Sequence, residues 1–189
     1  HFESSGQVIC LGGLGFISLN PTIAINDNDI VYIAWADAYP GMTGADQDIY
    51  IRTLANGEIR DPFNSYQAAI GTTSSFMSDS PNIQILSSNV LLVTWTEGNA
   101  DGYMDITHVQ LRDNNDSNGP VITLNTQDGY TAPRIAGVTA GESQQASVAI
   151  DDNGTIHVAW SDLTTLDLAT DPENADGPDS DIFYLAITQ

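Results

Sequence analysis

Apolar residues recur with a two-residue period in three separated stretches of this chain, and the three share one internal plan. They read NPTIAINDNDIVYIAWAD from Asn20, SPNIQILSSNVLLVTWTE from Ser80 and QASVAIDDNGTIHVAWSD from Gln145. Each opens on an alternating run, Ile23 and Ile25, Ile83 and Ile85, or Val148 and Ile150, which is the period of a strand with one buried face. A short polar turn follows, and then a β-branched and aromatic run that closes on Trp35, Trp95 or Trp160. The anchors align without gaps: each Trp falls 14 residues after Pro21, Pro81 or Ala146, and Asp37, Glu97 and Asp162 each stand two residues beyond it. A third strand is predicted from an Asp-Ile pair in every copy, at Asp48-Ile49, Asp105-Ile106 and Asp181-Ile182. The connection leading to it varies, with 13, 10 and 21 residues from Trp to Asp, so insertions concentrate between the second and third strands. Fourth strands are predicted at Tyr66 to Ile70 and at Pro120 to Leu124. No sustained 3.6-residue apolar pattern runs anywhere, so helices should be few and short.

A repeat at this period decides the fold more strongly than any single motif. The segment Gly6 to Leu11, GQVICL, is similar to Gly119 to Leu124, GPVITL. The lead-ins repeat as well, since Phe16 and Phe76 stand 60 apart, as do Ser18 and Ser78. The chain therefore reads as opening in mid-repeat, with strand order D, ABCD, ABCD, ABC. Its divisions are 1–19 for the displaced strand and lead-in, 20–79 and 80–144 for two full repeats, and 145–189 for a third lacking its own D strand. The expected architecture is all-β, with three four-stranded antiparallel propeller-like blades. The last blade would be completed by Gly6, Gln7, Val8, Ile9, Cys10 and Leu11, in cis or in trans, laid beside an acceptor strand of Asp181, Ile182, Phe183, Tyr184 and Leu185.

The pattern P-x-I, then V-x-W-x-D, then D-I-Y resembles the repeats of sialidase-like, or BNR-like, β-propeller proteins, and covers nearly the whole chain three times. The resemblance implies a ring of blades, with Trp35, Trp95 and Trp160 as blade-packing residues. Rings hold about four to eight blades, so three alone form an arc. The sequence S-x-D-x-G-x-T-W is missing, and the arginines are not placed as a clamp for a sialic acid carboxylate, so no catalytic residue is assigned and no enzymatic activity is expected. The first functional expectation is an extracellular or cell-surface structural protein that assembles head to tail, as fibre or ring, by donating its N-terminal strand to a neighbour. The alternative is a carbohydrate-binding or glycoside-hydrolase-like propeller, by itself or as a fragment of a larger chain; an N-terminus at His1 rather than Met fits a removed leader or a fragment.

Charge narrows the partners. Asp and Glu number 25 against 4 basic residues, Arg52, Arg60, Arg112 and Arg134, for a formal net charge of −21 over 189 residues. That balance disfavours nucleic acid, whose binding needs a basic surface to displace counterions. No apolar run reaches the roughly 20 residues of a membrane-spanning helix. The single cysteine, Cys10, excludes an internal disulfide. The acidic residues crowd the connections between second and third strands. Glu97, Asn99, Asp101 and Asp105, and in the third copy Asp176, Asp179 and Asp181, offer oxygen ligands of the kind a hard cation such as Ca2+ takes. The same residues also serve to end strands and keep loops hydrated. Asn115-Asp-Ser and Asn153-Gly-Thr are N-glycosylation sequons.

Overall fold

The computed structural model describes residues 17–38, 47–55, 58–60, 77–87, 90–98, 104–116, 119–124, 142–163 and 181–187. These form eleven strands and no helix. Sheet I holds β1 (Ile17–Ile25), β2 (Val31–Ala38), β3 (Gln47–Ala55) and β4 (Glu58–Arg60) in that order. Sheet II repeats the plan with β5 (Ser78–Ser87), β6 (Val90–Gly98), β7 (Met104–Asp116) and β8 (Gly119–Leu124). Sheet III has three strands, β9 (Glu142–Ile150), β10 (Ile156–Leu163) and β11 (Asp181–Ile187), with β10 in the middle. All pairings are antiparallel. Among the described residues no helix is long and apolar enough to cross a membrane.

The fourth strand of sheet I differs from the sequence expectation. It is Glu58–Arg60, pairing back on β3 from Ala55↔Glu58, whereas Tyr66 to Ile70 lies outside the described residues. In the sequence, Asn56-Gly57 between the paired residues is a strong two-residue hairpin signal. GPVITL does form the fourth strand of sheet II, with Asp116↔Gly119 closing the hairpin.

The first strand of each sheet carries the same irregularity. Pairing skips between Leu19 and Thr22, between Asp79 and Asn82, and between Gln144 and Ser147, so that two residues oppose one Trp on the neighbouring strand. At each skip one non-glycine residue is left-handed: Asn20 (φ 49°), Ser80 (φ 51°) and Gln145 (φ 53°). Such a conformation costs roughly 1–2 kcal/mol. It is held by a hydrogen-bonded set repeated in all three sheets. Ser18 Oγ donates to Asp37 (3.1 Å), Ser78 Oγ to Glu97 (2.5 Å) and Ser143 Oγ to Asp162 (2.7 Å). The indole Nε1 of Trp35, Trp95 and Trp160 donates to the same three carboxylates at 3.2, 2.6 and 3.4 Å. Each carboxylate thus ties the start of the first strand to the Trp across the bulge.

Hairpins joining first and second strands are fixed by one side chain. In sheet I, Asn26 Oδ1 accepts from the Asn28 and Ile30 N–H groups, both at 3.0 Å. In sheet III, Asp151 Oδ1 accepts from Asn153 (2.9 Å) and Thr155 (2.8 Å), with Gly154 at φ 81°. Four residues of turn need a backbone acceptor in the loop, and an Asx side chain supplies it. The Thr155 N–H holds the Asp151 carboxyl below the usual carboxylate range; burial opposes it, and Asn153 and His157 add to it.

The sheets stack face to face and build two cores. Between sheets I and II lie Tyr32, Ala34, Ala36, Ile49 and Ile51 on one side and Ile83, Leu91, Val93 and Trp95 on the other. Between II and III lie Leu92 and Ile106 against Val148, Ile156, Val158 and Trp160, with Phe183 and Leu185 packed alongside. Strand β3 displays the alternation that results, with Gln47, Ile49, Ile51, Thr53 and Ala55 buried and the residues between them half-buried.

Two stability outcomes follow from the carboxylate sets and the turn. Ser143→Ala is expected to lower unfolding free energy by about 1 kcal/mol, and Asp162→Ala by about 2–4 kcal/mol because two buried donors lose their acceptor; urea denaturation midpoints check both. For Asp151 the folded pKa is depressed, so its contribution is present above the unfolded value of about 3.9 and is lost as pH falls through the folded pKa. Asp151→Asn keeps the acceptor, as Asn26 does, and removes the titration. Wild type should exceed this variant in melting temperature at neutral pH, with the gap closing on acidification.

Candidate functional site

One carboxylate lies between sheets rather than within one. Asp79 precedes the left-handed Ser80 on β5, and its Oδ1 accepts from Asn20 Nδ2 of β1 (2.7 Å) and from Gln47 Nε2 of β3 (3.2 Å). The two donors come from sheet I, 59 and 32 positions away in the chain. Asn20 is exposed, Asp79 half-buried and Gln47 buried, so the group sits at the rim where the first strands of sheets I and II meet. Both amides converge on Oδ1, and Oδ2 has no further hydrogen bond among the described residues. Bulges commonly re-aim a side chain next to a functional site. The equivalent positions on β1 and β9, also one residue before the left-handed one, are Leu19 and Gln144. Only the second copy places an acid there.

The repeated carboxylates share one pair of partners. Asp37 and Asp162 are buried, Glu97 is half-buried, and each accepts from a serine and an indole. Of the residues singled out for a cation, Asn99, Asp101, Asp176 and Asp179 lie outside the described residues. Asp105 stands opposite Glu97 in the β6–β7 register, and Asp181 opposite Asp162 in the β10–β11 register. Among the described residues no group of three His, Cys, Asp or Glu side chains is placed to hold a metal ion.

The other sequence candidates divide in the same way. Trp95 and Trp160 enter the two inter-sheet cores, while Trp35 is buried beneath Tyr50, at 6.1 Å between ring centroids, and the Arg52 guanidinium, at 5.9 Å. Gly6 to Leu11 lie outside the described residues. Their expected acceptor, Asp181 to Leu185, forms most of β11, an outer strand of sheet III with Ile182 and Tyr184 exposed. Asn115 stands on β7, and Asn153 is exposed in the β9–β10 turn. Sequence reading passed over Asp79, Asn20 and Gln47, and over Ser143 as the partner of Ser18 and Ser78. The serine signal was present as a constant 17-residue spacing to each Trp, and the Asp79 signal as the one acid among Leu19, Asp79 and Gln144.

No protein-family model matches the chain, and no curated protein sequence does. Solved structures do. A GH43_12 protein retrieved from capybara gut metagenome aligns over 90% of this chain at 14% identity, with a TM-score of 0.50. An endo-arabinase from Bacteroides thetaiotaomicron aligns over 93% at 15% identity and TM-score 0.49, and a thermostable family-43 glycoside hydrolase over 94% at 13% and 0.47. The chain spans 58% of the endo-arabinase, 50% of the thermostable hydrolase and 31% of the GH43_12 protein. The likeness supports a propeller-like fold and does not single out sialidase-like repeats. The expectation that the chain is not an enzyme is not upheld, since the similar structures are named as glycoside hydrolases or an endo-arabinase; at 13–15% identity they show the fold and assign this chain no activity. That expectation rested on the lack of a linear catalytic motif. Stacked sheets bring strand ends from separate repeats together, as Asp79 with Asn20 and Gln47, so no linear motif is required.

Proposed function

We propose that this chain belongs to a glycoside-hydrolase-like β-propeller that engages a polysaccharide at the rim between β1 and β5, with Asp79 as an acidic group of its site. The supporting observation is the geometry of Asp79: Oδ1 is fixed by Asn20 and Gln47, and Oδ2 is left to accept from a sugar hydroxyl or to take part in proton transfer. Planar amides beside a carboxylate offer the mixed donors and acceptors that sugar hydroxyls require. Glycoside hydrolysis uses two carboxyl groups flanking the scissile bond, and Asp79 is assigned as one of them. Because Asn can replace Asp while still accepting from both amides, Asp79→Asn should keep the fold. On arabinan or a related polysaccharide it should lower turnover by about 100-fold or more, with an unchanged melting temperature. A wild-type chain that neither cleaves nor binds such polymers in reducing-sugar and calorimetric assays would sink this reading.

A second reading is favoured by β8. Because GPVITL pairs as the fourth strand of sheet II, the similar GQVICL at Gly6 to Leu11 is suited to the same place beside β11 in sheet III, within one chain or between two. Removal of residues 1–11 is expected to lower the melting temperature, and a synthetic peptide of residues 6–11 to restore it. An unchanged melting curve, with or without the peptide, counts against strand completion.

A further inference from the structure

The stack has two unlike ends, and each is an unpaired half of the interface that the chain already builds twice. Ile23 is opposite Ile33 in the β1–β2 register, Ile83 opposite Val93 in β5–β6, and Val148 opposite Val158 in β9–β10. These are one repeat position on one face. Ile83 is 2% exposed because sheet I covers it, whereas Ile23 is 62% exposed. Ile25 follows Ile23 in being open, while its counterparts Ile85 and Ile150 pack against the inter-sheet cores.

The far end shows the converse. Ile49, Ile106 and Ile182 each follow the Asp that opens the third strand, and they stand opposite Ala36, Thr96 and Ser161. Ile49 and Ile106 are fully buried by the succeeding sheet, but Ile182 is 77% exposed, and Tyr184 beside it is exposed as well. In solvent these side chains forgo the stabilisation that burial gives their counterparts. An apolar pair of faces at opposite ends of one body, rather than one self-complementary patch, specifies a head-to-tail contact.

We infer that the Ile23–Ile25 face of sheet I in one copy of this chain docks on the Ile182–Tyr184 face of sheet III in a second copy, continuing the sheet-to-sheet interface already present between I and II and between II and III. The occupant is another copy because the open face of sheet I matches, position for position, the faces that cover sheets I and II from within. This contact uses sheet faces and is independent of both the Asp79 rim and the strand of residues 6–11. The net charge of −21 opposes it, so association strengthens as salt shortens the screening length to about 10 Å at 0.1 M.

Sedimentation velocity over a concentration series in moderate salt tests the contact. The wild-type chain is expected to reach at least twice the monomer mass, and Ile23→Lys and Ile182→Lys each to remain monomeric, although both substitutions reduce the charge repulsion. An equimolar mixture should recover a two-chain species, since one variant keeps an intact head and the other an intact tail. Circular dichroism verifies folding, and Ile25→Lys with Tyr184→Lys serves where the first pair unfolds. A wild-type monomer throughout, assembly of either variant alone, or a mixture that stays monomeric overturns the inference; the first of these assigns the two faces to other occupants.

Discussion

The hydrogen-bonded set of serine, carboxylate and tryptophan is the constraint on which the rest of this structure depends. A Trp needs a partner for its N–H once its ring is buried. Here the partner is an acid two residues along the same strand, held in turn by a serine on the neighbouring strand. The arrangement forces two residues of the first strand past one of the second, and the left-handed residue at the bulge is the conformational cost. Charge-assisted hydrogen bonds of about 1.5–3 kcal/mol offset that strain in each sheet. Because the set recurs three times, the first strands of all three sheets enter with the same bend, and the sheets can stack in the same relation.

Stacking then gives identical repeat positions different fates. Ile23, Ile83 and Val148 share a face and a cross-strand register, yet the first is open and the others are covered. The same division separates Ile182 from Ile49 and Ile106. An apolar side chain in a repeat is therefore a core residue only in company, as expected of architectures in which one unit cannot bury its own faces. The turn residues obey a more local rule: Asn26 and Asp151 do the same work inside their own hairpins, whatever lies on either side.

The proposed site lies where the repeat is broken. Leu19, Asp79 and Gln144 occupy one bulge position in three copies, and the acid reaches across to amides of the preceding sheet. A regular scaffold supplies the bend and the close approach of β1 and β5; a single change of side chain then supplies chemistry. A shared fold alone does not specify an activity; the side chains at one place do.

Alternation, turn residues and the invariant spacing of Trp and acid determined by themselves that the chain is all-β, repeated three times, with the first three strands of each sheet close to where they lie. These features are legible because strand period and turn chemistry act over a few residues. The fourth strand of sheet I was not read, because Asn56-Gly57 competes with the stronger apolar run at Tyr66 to Ile70. Tertiary structure alone decided which acids are tied into sheets, which apolar faces are open, and that Asp79 meets Asn20 and Gln47. Each depends on how separate sheets approach one another, and that approach is set by packing and bulge geometry between residues far apart in the chain.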